Sequence, residues 1–558
     1  MTETTDNFHE YSKNIVRNFI QNVVILDDLI FQEEINPTDA EINKISLSAM
    51  NKLTLTPLDA NSTEKEQNSK IEQVANHNID TQSLMDAFIK EGILCSCISP
   101  NIDRLGFKNS EEKLKKANEL FPVLSKADIV ILDWQTFDDD KEGELTCELL
   151  KKIKNDPDGL KLVVIYTGTN INNNVKPKLI DIFQIPEQQF DHYVNNEEGS
   201  IIANKSVQIK LILKDSPISQ GNTSIRKIKE KDLPNVCIDE FAKKKQGLII
   251  NSILSAITDI RKNTSKILSS ISQELDIPFI NHKMQLPCPS DADDFLLEFI
   301  SDRIISAINI NKLQDNLSDK SIKDWYKHND FKEVVDISDE LKNINLIDVI
   351  IKGFPNIVTD DRQNCDFIKH FLEGKNINAC KLNKQFTSMT QNKTTFYSET
   401  CLPYLTLGTV LSCQEKKITN ERQETVENKY YLCLQPRCDS VRVDEKTNFI
   451  LMPLCETGKD SALKLCVDDK LHNKQLMFKH GKVHDIKLVA FKKDYIDNEK
   501  VTFKYNDNHY VIESQNNDKY ILISELKFQY AQRIIQQYAN DICRVGFDEY
   551  EWFRKLHK

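Results

Sequence analysis

Ala127-Asp-Ile-Val-Ile-Leu-Asp133 is a β-branched apolar run that closes on a carboxylate, and three other runs share its form. They are Asn22-Val-Val-Ile-Leu-Asp-Asp28, Lys161-Leu-Val-Val-Ile-Tyr-Thr167 and Ser200-Ile-Ile-Ala-Asn-Lys205. Near-continuous apolar runs of this length mark strands buried on both faces, hence a parallel sheet covered by helices. A further strand is expected over Ile93–Ser99, and helical stretches fall between the strands at Thr81–Glu91, Ser110–Leu120, Glu142–Asn155 and Lys176–Phe183. Strands alternating with helices predict an α/β, doubly wound domain over residues 1–215. Residues 31–80 are polar and separate the first strand from its helix, so they read as an insertion.

Outward from this domain the texture changes. Residues 216–236 are polar and charged and read as a linker, and residues 237–394 carry mainly helical patterns. One long helix is expected from Ile238 to about Leu275. Its Ile250, Ile253, Ile257, Ile260, Ile267 and Ile271 follow a 3,4 spacing, with Thr264 at the missing step. Such a row is the seam of a two-helix contact, which would let a second copy pair through residues 250–271, and an ordinary core helix is the commoner explanation. Residues 395–523 read as a β-rich module, and 524–558 as a C-terminal helix with Phe528, Ala531, Ile534, Ile535 and Tyr538 on one face.

Composition narrows the function. The 558 residues carry 73 Lys and Arg against 85 Asp and Glu, a net charge of −12. A chain of that sign repels a phosphate backbone, so no nucleic-acid partner is expected. Only 14 glycines are present, which speaks against repeated glycine-rich nucleotide loops. No stretch reaches the 18 apolar residues of a membrane span, and the N-terminus lacks a secretory pattern. Many of the 14 cysteines sit in apolar runs such as Leu94-Cys-Ser-Cys-Ile98, which suits reduced thiols in the cytoplasm.

In a doubly wound sheet, ligands bind at the carboxyl ends of the strands. Those ends here present Asp27 and Asp28, Asp133, Thr167 and Lys205. Three carboxylates in one crevice suit a hard cation such as Mg2+. Asp133 is the candidate nucleophile, forming an aspartyl phosphate, while Thr167 and Lys205 serve phosphate oxygens. Any one of these residues alone is more often a cap or turn residue, but all four strand ends carry a suitable type.

This set resembles the receiver domain of response regulators, a flavodoxin-like fold with strand order 2-1-3-4-5. The resemblance implies phosphate transfer from a partner histidine kinase to Asp133, with Mg2+ held by Asp27, Asp28 and Asp133. The chain departs from the family at the 31–80 insertion, at Ser206 where Pro usually follows the lysine, and at Ile202 where an aromatic switch residue usually stands. Val23–Asp28, Ile131–Trp134, Ile165–Gly168, Leu434–Arg442 and Arg544–Trp552 are also similar to a divergent receiver group of bacterial anti-phage operons. That likeness implies a defence pathway in which the protein relays or buffers a kinase signal; an effector protein is the expected downstream partner, and with no catalytic output motif in the sequence the chain is not expected to be an enzyme.

Two rivals use the same residues: a Mg2+-dependent phosphohydrolase, and a degenerate receiver serving as a scaffold. A hydrolase passing through an aspartyl phosphate typically has an acid/base Asp two residues after its nucleophile, where this chain has Gln135. Cys433 and Cys438, flanked by Cys413 and Cys455, read as buried thiols rather than a zinc site. His472, His480 and His484 within the basic run Lys470–Lys487, and the strip Arg437, Asp439 and Arg442, read as solvated surface.

Overall fold

The computed structural model of the chain describes residues 6–28, 30, 80–102, 106–137, 140–155, 160–188, 190, 200–202, 206–215, 225, 227–286, 289, 291–335, 343–354, 368–372, 378–394, 397, 401–418, 424–456, 465–469, 474–480, 485–506 and 509–542. The 31–80 insertion therefore lies outside the described residues except for Asp80, as do His472, His484 and the Arg544–Trp552 stretch. Two compact units are present: residues 1–266 with 306–330, and residues 267–305 with 331–558.

The first unit begins with α1 (Asn7–Phe19), β1 (Asn22–Leu26), α2 (Thr81–Lys90), β2 (Leu94–Ile98), α3 (Ser110–Leu124), β3 (Ile129–Leu132), α4 (Glu144–Asn155), β4 (Lys161–Thr167) and α5 (Lys176–Phe183). It continues with β5 (Ser200–Ile202), β6 (Val207–Lys214), β7 (Lys227–Ile228), α6 (Leu233–Lys245) and α7 (Leu248–Ser269). Side-chain caps start α1, α2 and α3: Asp6, Asp80 and Asn109 each accept a backbone N–H three residues on. The strand order is β2-β1-β3-β4-β6-β5, with β7 beside β6. All pairings are parallel except that of β5 with β6.

Every residue of β3, β4 and β6 is buried, as a sheet covered on both faces requires. The pleat sends alternate residues to opposite faces. Val24, Leu26, Val130, Leu132, Val163 and Ile165 pack under α3, α4 and α5. Val23, Ile25, Ile129, Ile131, Leu162, Val164 and Tyr166 pack under α1, α2 and α6.

Two expectations about this region need correction. The fifth parallel position belongs to Val207–Lys214, whereas Ser200–Ile202 is an antiparallel edge strand. The eight buried residues of β6 can form the long ladder to β4, while the shorter run pairs over three positions. The single helix over Ile238–Leu275 is instead α6 and α7, because Gln246 adopts extended backbone and Gly247 follows it. Glycine is a poor helix residue, so the break falls where propensity is lowest.

The 216–236 stretch, read as a linker, contains β7 and the start of α6, both in the first unit. In α7 the buried residues are Asn251, Leu254, Thr258 and Asp259. Asn251 donates to Ser12 Oγ, and Asp259 accepts from the Asn309 backbone and Lys312. The isoleucine row falls on the other side, with Ile250, Ile253 and Ile257 exposed.

Arg261 fastens α7 to the amino edge of the sheet. Its guanidinium donates to the buried Asp128 carboxylate at 3.0 and 3.3 Å and to the Phe19 carbonyl at 2.9 Å, over the Phe19 ring. Arg261→Met is expected to lower stability by about 2 kcal/mol, the order of a hydrogen bond to a charged group, as measured by the denaturant midpoint. Phosphate uptake at the opposite edge should not change.

The second unit is mainly helical up to Ala379–Gln391, with a two-residue strand pair of Val334–Val335 and Ile344–Asn345, and then β-rich. Its large sheet is antiparallel and packs a cluster on each face. The terminal helix, Phe528–Ile542, covers one face through Ala531, Ile534 and Tyr538. Within this sheet, burial opposes ionisation of Glu415, but hydrogen bonds from Lys429, Lys487 and Tyr431 hold its carboxyl down at about 2. A lowered carboxyl pKa stabilises above the ordinary value of 4.5 and loses that contribution as pH falls toward 2. Lower protection against hydrogen exchange in Thr409–Ile418 and Glu424–Cys433, taken relative to the intrinsic amide rate at each pH, is expected over that acid window, with the pH dependence reduced in Glu415→Gln.

Cys413 and Cys433 are buried, whereas Cys438 and Cys455 are exposed. Among the described residues, no cysteine joins a cluster of three ligand types. No described helix is long and apolar enough to cross a membrane.

Candidate phosphoacceptor site

Register builds the site. Leu26 pairs with Leu132 across β1 and β3, so the next residues, Asp27 and Asp133, emerge side by side. The ladder runs one step further, with the Asp133 N–H donating to the Leu26 carbonyl at 2.9 Å. Asp27 is likewise held, its N–H donating to the Ile98 carbonyl at 3.2 Å. Thr167 closes β4 opposite Leu213, so Lys214 ends β6 immediately beyond it.

The pleat then selects which side chains meet. Ile25, Ile131, Val164 and Ile212 all belong to the cluster under α1, α2 and α6. A period of two carries Asp27, Asp133, Tyr166 and Lys214 to that same side. The Lys214 ammonium donates to Asp27 Oδ2 at 2.8 Å and to Asp133 Oδ2 at 2.6 Å. It also lies 5.8 Å from the centre of the Tyr166 ring.

All three charged groups are buried, with side chains 2%, 8% and 7% exposed for Asp27, Asp133 and Lys214. Burial is the largest influence on Asp133 and pushes its carboxyl up to about 7, against the attraction of Lys214 and with the repulsion of Asp27. Burial pulls Lys214 down, but the attraction of Asp133 and Asp27 outweighs it and keeps the amine protonated. Asp28, half-buried, completes a set whose ligand oxygens all lie within 4.8 Å of one another. Among the described residues, three carboxylates gather beside the Lys214 ammonium, an all-oxygen donor set of the kind a hard divalent cation takes. The donor set therefore fits such a metal.

The loop after β3 holds Asp133 still. Thr146 Oγ1 donates to the Asp133 carbonyl at 2.7 Å. Fully buried Trp134 donates its indole N–H to the Lys141 carbonyl at 3.1 Å. The Asp140 carboxylate accepts from Thr136 and from the Glu144 N–H, which caps α4. Gln135 is turned to the Phe137 carbonyl at 3.2 Å.

The structure thus brings together Asp27, Asp28 and Asp133, and places Thr167 on the same strand edge. Lys205 lies outside the described residues, and the lysine found against Asp27 and Asp133 is Lys214. With that lysine, the following residue is Asp215 and the position three before it is Leu211, buried and aliphatic. Reading the sequence missed Lys214, Tyr166 and Thr146. The run Val207–Lys214 carried the signal for the first, being the longer apolar strand and also ending in lysine.

Residues 19–216 match the family model of the response receiver domain. No match was found among curated proteins or among solved structures.

Proposed function

Because residues 19–216 form a response receiver domain, a phosphoacceptor signalling module, we propose that Asp133 accepts a phosphoryl group from a partner histidine kinase. The observation that carries this reading is the convergence of three carboxylates and the Lys214 ammonium at one edge of the sheet. A carboxylate oxygen of Asp133 bonds to phosphorus as the bond from phosphorus to the donor breaks, and the donor leaves with that electron pair. Asp27, Asp28 and Asp133 would hold Mg2+, which supplies charge neutralisation to the phosphoryl oxygens when bound.

The other residues act around the transferred group. Lys214 pairs with the oxygens of the transferred group, replacing part of the contact it makes with Asp133, and Thr167 exchanges the hydrogen bond its hydroxyl donates to Thr169 for one to another oxygen. Thr146 fixes the Asp133 backbone during the transfer. Nothing at Gln135 can serve as the proton-transferring carboxylate that a phosphohydrolase needs, and its amide is engaged with Phe137.

The signal is relayed to an effector protein or absorbed, and the setting we infer from the sequence likeness is a bacterial anti-phage two-component pathway. The exposed Ile250, Ile253 and Ile257 supply the surface for a second copy bound through residues 250–271. The test is intact mass after incubation with acetyl phosphate. One phosphoryl adduct is expected with Mg2+, none after chelation of divalent cations, and full recovery on adding Mg2+ back. Steady release of inorganic phosphate with no adduct would favour the hydrolase, and neither product would favour the scaffold.

A further inference from the structure

Tyr166 precedes the site hydroxyl Thr167 in β4 and is fully buried. Its phenol group donates to the Ile228 carbonyl at 2.9 Å, while its ring lies against the Lys214 ammonium. Ile228 belongs to β7, whose backbone pairs in parallel with the end of β6: Leu213 with Lys227, and Lys214 with Ile228. The site lysine is therefore joined to β7 twice, through its own backbone and through Tyr166.

β7 has only two residues, so its ladder is too short to hold it by itself. Ile228 packs into the core beside Leu233, Cys237, Ile238, Phe241 and Ala242, the residues of α6 that face the sheet. Thus α6 is well anchored, and β7 with the turn that leads into α6 is the part that a small change could move.

We propose that Tyr166 is a positioning residue that couples Lys214 to residues 227–232, so that a phosphoryl group on Asp133 loosens β7 from the edge of β6. The proposal rests on Asp133 being the phosphoacceptor. A phosphoryl group brings strong acceptor oxygens and, since the carboxylate charge is consumed in the new bond, a net gain of about one negative charge to the end of β3. Lys214 re-pairs with those oxygens, leaves the Tyr166 ring and shifts the last residue of β6. Both links between the site lysine and β7 change together. A phenylalanine at 166 would keep the ring beside Lys214 but could not hold the Ile228 carbonyl, so the hydroxyl is the part that joins the ring to β7.

The experiment is hydrogen exchange of residues 227–232 in the full chain, with and without acetyl phosphate and Mg2+, with intact mass taken on the same samples. In the wild type, the adduct should form and exchange in 227–232 should quicken several-fold. In Tyr166→Phe the adduct should still form, but exchange should already be fast and should no longer respond to phosphate. An unchanged exchange rate in phosphorylated wild type overturns the proposal, and this arm needs no variant. So does a Tyr166→Phe chain that keeps the full phosphate response. Absence of the adduct in wild type removes the phosphoacceptor reading and this coupling with it, and the mass measurement separates that failure from the others.

Discussion

Lys214→Met abolishes phosphoryl uptake and destabilises the first unit, whereas Lys205→Met leaves uptake at the wild-type level. The first effect follows from the two ion pairs of Lys214, at 2.8 Å with Asp27 and 2.6 Å with Asp133. Removing the cation takes from two almost wholly buried carboxylates the ammonium they share. Breaking a buried pair in this way typically costs about 3–5 kcal/mol. Protonation of Asp133, already displaced upward to about 7 by burial, relieves part of that cost but leaves a poorer nucleophile. The denaturant midpoint and the intact mass of both variants, taken together, check the assignment.

Gly143→Ala is the second large effect. Gly143 has φ +62°, in the left-handed region, and an added Cβ would lie 2.4 Å from Trp134 Cε2. The backbone conformation and the overpacking each add a cost, together about 2–4 kcal/mol. Trp134 follows Asp133 directly and is fully buried, so a displaced indole drags the phosphoacceptor with it. Lower stability, a red-shifted tryptophan emission and a reduced phosphoryl adduct are expected in one variant. Gly92→Ala is the control: its φ is +74°, but a Cβ there would meet nothing within 4 Å. Only the backbone contribution, about 1–2 kcal/mol, should then be lost.

The first unit was legible because its strands are buried on both faces. Such strands write themselves into sequence as short apolar runs, and Asp27, Asp28, Asp133 and Thr167 are fixed by being the polar residues that end them. The site lysine had two candidates in the sequence, because Ser200–Lys205 and Val207–Lys214 are adjacent apolar runs that both close on lysine; Lys214 stands against Asp27 and Asp133, and Lys205 lies outside the described residues. Length distinguishes them: the longer run supports the β4 ladder, and the shorter one lies antiparallel at the edge.

Tyr166 and Thr146 were hidden for a different reason. Their roles depend on contacts with Ile228 and with the Asp133 carbonyl, 62 and 13 residues away in the chain, which no local pattern records. In α7 the apolar row was visible, but the burial of Asn251 and Asp259 was not. Polar residues become core residues only when partners such as Ser12 and Lys312 arrive from elsewhere.

The most direct measurement is the intact mass of wild type and Asp133→Asn after incubation with acetyl phosphate and Mg2+. The predicted result is one phosphoryl adduct on the wild type and none on Asp133→Asn. An equal adduct on both proteins, or no adduct on either, would contradict the assignment of Asp133 as the phosphoacceptor.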